Sequence, residues 1–198
     1  MTREKGQKGK ESRSRLLHAA AKEFALNGFH ETKVSSIVAA AGMTQPAFYL
    51  YFQSKDALFE QLVSEFRSGV QRLLLEIRME SGLNKRDIPD RVAGAVEAVF
   101  RYMGENVHLT RIGLLIAPEA ESIKGEFISW LTGNLLAEQQ AGYFRSGLQM
   151  DFVAECLYGM IERLVFTQLI PGTHSPHTLA RQIADLILPG MLEKEAAP

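Results

Sequence analysis

One cysteine, Cys156, among 198 residues excludes an internal disulfide. It stands in an apolar stretch and reads as a small core residue rather than a reactive thiol. No apolar run approaches the ~20 residues that a membrane-spanning helix needs. Residues 37–43 and 186–192 are among the longest. The N-terminus is Lys-rich and lacks the apolar segment of a secretory leader, so the expected location is the cytoplasm. Nucleophile elbows, phosphate-binding glycine loops and dinucleotide fingerprints are all missing. So are strand-like alternation and internal repeats.

What is present is a helical pattern with an uneven charge. A hydrophobic fraction of 46% suffices for a sizeable core, in one large domain or two small ones. The net charge of −1 hides a gradient: residues 1–56 hold nine Lys/Arg and five Asp/Glu, a net +4, which leaves −5 for the rest. A basic first quarter on an otherwise acidic chain suggests a local polyanion contact.

Residues 1–10 are rich in Lys and Gly without apolar periodicity, and read as a flexible basic arm. Leu16, Leu17, Ala20, Ala21, Phe24 and Ala25 then form one stripe, predicting a helix over 11–27 that stops at Gly28. Val34, Ile37, Val38 and Ala41 predict a second helix over 34–41, with Ala39, Ala40 and Ala41 small enough for close helix approach. Gly42 supplies the turn, Thr44 an N-cap and Pro46 the first turn of a third helix anchored by Phe48 and Phe52. Ser54 caps a long helix to about residue 79. Further helices are expected from residue 87 through Met103, and over 107–116, 121–144, 151–169 with Asp151 as cap, and 176–193. Pro189 should kink or interrupt the last one. The fold class is all-α, with roughly nine helices.

Two short helices joined by a tight turn, the second opening on Thr44, Gln45, Pro46 and Ala47, form the layout of a helix-turn-helix. The stretch 19–62, with AAAKEFALNGF, T-K-V-x-x-I, Ala-Gly at the turn and F-Y-L-Y-F followed by S-K-x-A-L-F, resembles the TetR family of bacterial transcriptional regulators. Ser36 and Lys33 depart from its commonest pattern without disturbing the fold. The resemblance implies a DNA-binding domain over 11–55 and a helical ligand-binding and dimerisation domain over 56–198.

Major-groove reading needs donors, acceptors and methyl-sized groups at the start of the inserted helix. Gln45 is the leading base-contact candidate, Thr44 stands beside it, and Pro46 and Ala47 suit thymine methyls. By resemblance, Tyr49, Tyr51 and Lys55 match the family's phosphate-binding positions. Thr32 and Lys33 flank the second helix and are expected to grip the other strand. One such helix covers few base pairs, so a homodimer on a palindromic double-stranded operator is expected. The last two helices would supply its interface through residues such as Phe152, Leu157, Ile161, Ile183 and Leu186.

Met103, Phe127, Trp130 and Tyr158, with the polar His108 and Arg111, are candidates to bind an apolar or amphipathic effector. Such a ligand would act on DNA affinity through the long helix after Ser54, and the expected activity is repression released by that ligand. A helical-bundle enzyme and a protein-interaction module are the rival readings. Glu105-x-x-His108 has the spacing of a di-iron ligand pair but no second copy, and His174-x-x-His177 has no Cys or acidic neighbour in sequence. No catalytic residue, metal ligand or cofactor is therefore assigned.

Overall fold

The computed structural model describes residues 2–192, with side-chain environments from residue 7 onward. Met1 and Glu193, the expected outer limits of the arm and of the last helix, lie outside the described residues. So do the side chains of Arg3 and Lys5. Among the described residues there are nine α-helices, one 3-10 turn and two π-helical segments, and no strand. The chain divides into two compact units: Met1–Ser68 with His108–Glu121, and Gly69–Val107 with Ser122–Pro198. This division does not coincide with a boundary at 55–56.

The first unit is built on α1 (Thr2–Glu31), α2 (Val34–Ala40), α3 (Gln45–Phe48) and the first part of α4 (Lys55–Glu76). Helix α1 starts at Thr2 rather than at residue 11. Glycines weaken a helix by about 1 kcal/mol each, but no proline precedes Pro46, and Lys, Glu, Gln and Arg are good helix formers. Gly28 interrupts α1 with φ 78° and ψ 167°, a conformation reserved for glycine, and one further turn follows to Glu31. Leu16, Ala20 and Phe24 are wholly buried on α1, as are Ile37 on α2, Phe48 on α3 and Leu58 and Phe66 on α4. Phe24 and Phe59 meet edge-on at 5.0 Å, and Phe29 folds back to lie 4.8 Å from Phe59. Of the three alanines expected to permit close helix approach, Ala41 is buried but Ala39 and Ala40 face solvent.

Residues 108–121 join this unit because α6 (Val107–Arg111) continues into a π segment, Ile112–Ile116, packed against α1. Gly113 also lets the segment approach α4 closely: a Cβ there would fall 2.0 Å from the Phe66 ring. The π turn closes through Ala117 N–H donating to Ile112 O at 2.8 Å. The helix expected over 107–116 thus exists, but its second half is wound more widely, and a π turn has no simple signal in side-chain spacing.

The second unit holds the rest of α4, the 3-10 turn Lys85–Asp87, α5 (Ile88–Glu105), α7 (Ala120–Gln140), α8 (Met150–Leu164) with the π segment Val165–Leu169, and α9 (Pro176–Met191). Helices α5 and α9 form its most extensive helix pair. Several ends differ from those expected. Helix α7 stops four residues early, because Gly142 takes φ 80° and Tyr143 N–H turns back to Glu138 O. Helix α8 starts after Gln149, so Asp151 lies in its first turn, accepting from Phe152 N–H at 2.9 Å. Pro189 does not stop α9: it removes one helical N–H donor, but only Gly190 and Met191 follow it in the helix. Ser175 caps α9 as expected, its Oγ accepting from Thr178 N–H at 3.1 Å. Cys156 is exposed rather than a core residue.

Candidate nucleic-acid interface

Sequence chemistry sets the turn first. After α2, Gly42 adopts φ 64°, which lets Gly42 N–H reach Ala39 O at 3.1 Å and Met43 N–H reach Val38 O at 2.8 Å. The chain reverses and α3 begins with Pro46 in its first turn, where a missing N–H costs nothing. Phe48 and Phe52 are buried with ring centroids 5.8 Å apart, and they hold α3 down from beneath. That packing turns Thr44, Gln45, Pro46 and Tyr49 outward, all exposed, with Ala47 and Tyr51 half-buried at the edge. Thr44 occupies the N-cap position, but its side chain accepts no capping bond. No hydrogen bond among the described residues engages the hydroxyls of Tyr49 or Tyr51. The surface offers an amide, three hydroxyls and small apolar groups around one helical turn, the inventory that base edges and phosphates require.

Leu50 was missed: it is 79% exposed, the most exposed large apolar side chain beside α3. Its place between Tyr49 and Tyr51, off the Phe48/Phe52 face, was the available signal. Arg13 was placed in the basic region but not in a fixed position. It stacks over the Phe52 ring at 5.0 Å and donates to Gln61 Oε1.

Two expected DNA contacts turn inward instead. Thr32 is only 2% exposed, and its hydroxyl donates to Gly28 O at 2.7 Å and to Glu23 O at 3.2 Å. The α1 break leaves carbonyls unpaired there, and the nearest hydroxyl satisfies them. Lys55 does the same with charge. Its Nζ donates to Phe29 O at 2.7 Å and Thr32 O at 2.9 Å, and it lies 4.3 Å over the Phe29 ring. These side chains lock the α1–α2 corner. Lys33 stays exposed beside them.

The expected ligand residues fall in both units. His108 and Arg111 belong to the first unit, whereas Met103, Phe127, Trp130 and Tyr158 belong to the second. Met103 and Phe127 are core residues, and Phe127 packs edge-on against Tyr158 at 5.2 Å, while Trp130 is half-buried. His108 Nδ1 and Arg111 Nε are buried without a hydrogen-bond partner among the described residues. Burial lowers the His108 pKa, and the neighbouring cations His18, Lys22 and Arg111 lower it further. None of the six lines the cavity of about 70 Å³ inside the second unit. Its wall includes Ile77, Met79, Val96, Leu135 and Met191, with Asn134 and Glu138 from α7. Glu138 is 7% exposed, and burial pushes its carboxyl up to about 7 against an opposing bond from Met79 N–H. One sign of it was legible: Glu138 continues the apolar spacing of Phe127, Leu131 and Leu135 along one face of α7. The His174-x-x-His177 pair also resolves: His177 Nδ1 lies 2.8 Å from Glu97 Oε2, and among the described residues no cluster of three potential metal ligands occurs.

Residues 16–62 match the family described as bacterial regulatory proteins, tetR family. Over 187 residues the chain is 50% identical to the uncharacterized HTH-type transcriptional regulator YdgC of Bacillus subtilis, covering 94% of this chain and 96% of that one. The ketosteroid transcriptional regulator KstR2 of Mycobacterium tuberculosis superposes with a TM-score of 0.72 at 22% identity, over 92% of this chain and 95% of that one. The transcriptional regulator FadR of Bacillus subtilis, solved in complex with stearoyl-CoA, superposes with a TM-score of 0.68 at 20% identity, over 89% and 98%.

Proposed function

The chain belongs to the tetR family of bacterial regulatory proteins and is a DNA-binding transcriptional regulator, and we propose that it reads a palindromic operator as a homodimer through α3. The observation that carries this reading is the exposed set Thr44, Gln45, Pro46 and Tyr49 on a single turn clamped by Phe48 and Phe52. Gln45 reads a base edge, its amide matching adenine N6/N7. Pro46 and Ala47 meet thymine methyls. Tyr49 and Tyr51 donate to phosphates, and Lys33 adds charge beside them. Thr32 and Lys55 act indirectly, by holding the corner that sets the angle of α2. The exposed cations Lys8, Lys10 and Arg15 of α1 add salt-sensitive attraction.

The dimer covers the side chains that α8 and α9 leave outside. Phe152 is 66% exposed and Leu186 71%, and isolated large apolar groups of this kind on two successive helices suit a twofold copy. The regulator represses by occupancy and is released by a small apolar or amphipathic effector held in the second unit. Helix α4 runs unbroken from Lys55 to Glu76 and is the continuous element available to carry that signal. The stearoyl-CoA of FadR is far larger than the cavity of about 70 Å³ in the second unit, so that cavity as it stands would take a smaller ligand.

The test is fluorescence anisotropy against a pool of host promoter fragments at two salt concentrations, with Gln45→Ala and Tyr49→Phe beside the parent. Gln45→Ala should cost about 1–3 kcal/mol on the enriched palindrome and little on other DNA. Tyr49→Phe should weaken all fragments alike. Equal binding of every fragment by parent and Gln45→Ala protein would overturn the assignment of α3 as the reading element.

A further inference from the structure

The cavity in the second unit has a chemical bias that its size and apolar walls conceal. Asn134 and Glu138 stand one turn apart on α7 and are its only strongly polar side chains. Asn134 spends one atom on the last turn of α4, and Glu138 one on the segment that follows it. Asn134 Nδ2 donates to Leu74 O at 2.7 Å, and Glu138 Oε1 accepts from Met79 N–H at 3.2 Å. Tyr143 fixes the same segment, its hydroxyl donating to Glu80 O at 2.6 Å and accepting from Leu83 N–H at 2.9 Å. A carbonyl can only accept, so the Asn134 nitrogen must face Leu74 and its Oδ1 is the atom left over. The second oxygen of Glu138 is likewise not used by any hydrogen bond among the described residues. The spare polar atom of each of these two wall residues is therefore an oxygen.

The rest of the wall brings nothing to answer these oxygens. Val92, Ala95 and Val96 from α5, Leu157 from α8, and Ile187 and Met191 from α9 are all apolar. The one cation acting on Glu138 is Arg78, whose side chain is exposed. In such surroundings a carboxylate is costly alone and strongly favoured beside a cation.

We propose that this cavity is a site for a small aliphatic amine, whose ammonium pairs with Glu138 and Asn134 Oδ1 while its short carbon skeleton fills the apolar space. The proposal rests on the effector reading of the second unit and names the ligand class. The empty site keeps Glu138 largely protonated below pH 7. Binding then proceeds as carboxylic acid plus ammonium to carboxylate–ammonium pair plus one released proton. Affinity should rise between pH 6 and pH 8. A carboxylate ligand of the same shape meets the opposite condition, because two acids sharing the pocket cannot both ionise cheaply.

The experiment is titration calorimetry of the full chain at pH 6.5 with isobutylamine, isobutanol and isovalerate, repeated in phosphate and MOPS buffers. The expected result is amine binding at least tenfold tighter than alcohol, isovalerate weakest, and release of most of one proton per amine. Glu138→Gln keeps an acceptor for Met79 N–H and should remove both the preference and the proton release. Ala95→Leu, at a half-buried wall position, should block the amine without touching either polar residue. Alcohol and amine binding equally, proton uptake in place of release, or no amine binding sensitive to Ala95→Leu would each overturn the site. DNA affinity is read in parallel. Amine binding with proton release but unchanged DNA affinity supports the site and overturns the effector reading instead. A DNA response to isovalerate alone overturns the site and leaves the effector reading standing.

Discussion

Lys55 and Glu138 are both ionisable side chains brought against packed helices, one in each unit, and the fold treats them in opposite ways. Lys55 meets two backbone carbonyls within 2.9 Å, a third, His30 O, at 3.5 Å, and an aromatic face. Glu138 is more deeply buried yet receives a single N–H and faces a cavity walled by hydrocarbon. A saturated charge makes a rigid corner, which a DNA-reading helix needs for its angle. An under-satisfied one retains unspent interaction energy for whatever enters. The contrast separates a positioning device from a receptor, using the same physical rule that buried charge must be compensated.

The largest way to expose that difference is pH. Burial raises the Glu138 pKa to about 7 from its ordinary 4.5, so the folded state holds the proton that the unfolded chain gives up. Its stabilising contribution is complete below pH 4.5, declines as pH rises towards 7 and is gone above it. The span amounts to about 3 kcal/mol. Urea unfolding at pH 5 and pH 7.5 should show about 2.5 kcal/mol of that loss in the parent protein, and Glu138→Gln should be nearly free of it. An equal pH slope in both proteins would mean that the carboxyl is not the strained group.

Breaking the saturated partner comes next. Lys55→Met keeps the carbon chain over Phe29 but strands the carbonyls of Phe29 and Thr32. It should cost about 2 kcal/mol in urea unfolding and weaken DNA binding on specific and unrelated fragments alike. Loss confined to DNA binding, with unchanged stability, would return Lys55 to a direct phosphate role.

The smallest effect sharpens the frame itself. Ser54 Oγ accepts from Ala57 N–H at 3.0 Å, so Ser54→Ala should lower stability by about 1 kcal/mol. Thr44 makes no such bond, so Thr44→Ala should leave unfolding almost unchanged while altering DNA affinity. Thermal unfolding of the two variants side by side separates capping from recognition.

Much of the first unit was legible because its signals are local. Gly28 and Gly42 mark turns, Pro46 marks a first turn, and Phe48 and Phe52 share a face at a spacing of four. The outward direction of Gln45 and Tyr49 follows from that face. The bonds of Thr32 and Lys55 to carbonyls at the α1 break were not legible, because no side-chain pattern announces an unpaired carbonyl. Cys156 was misjudged for a related reason. An apolar neighbourhood in sequence does not tell which side of α8 meets another helix, and Cys156 shares an exposed stripe with Phe152. Aromatic and Met side chains such as Phe127 and Met103 fill cores more readily than they line cavities, whereas the cavity found here is marked by the acid at position 138.

The sequence by itself determined the helical class, most helix starts, the reading turn and the family, since each depends on spacing and capping within a few residues. Tertiary structure decided which charges are satisfied and which are left wanting. It joined residues 108–121 to the first unit, turned Lys55 onto the end of α1, and set Glu138 against an apolar space. Those outcomes depend on atoms distant in sequence meeting within hydrogen-bond range. Period and propensity place residues on a face, and only packing decides what that face meets.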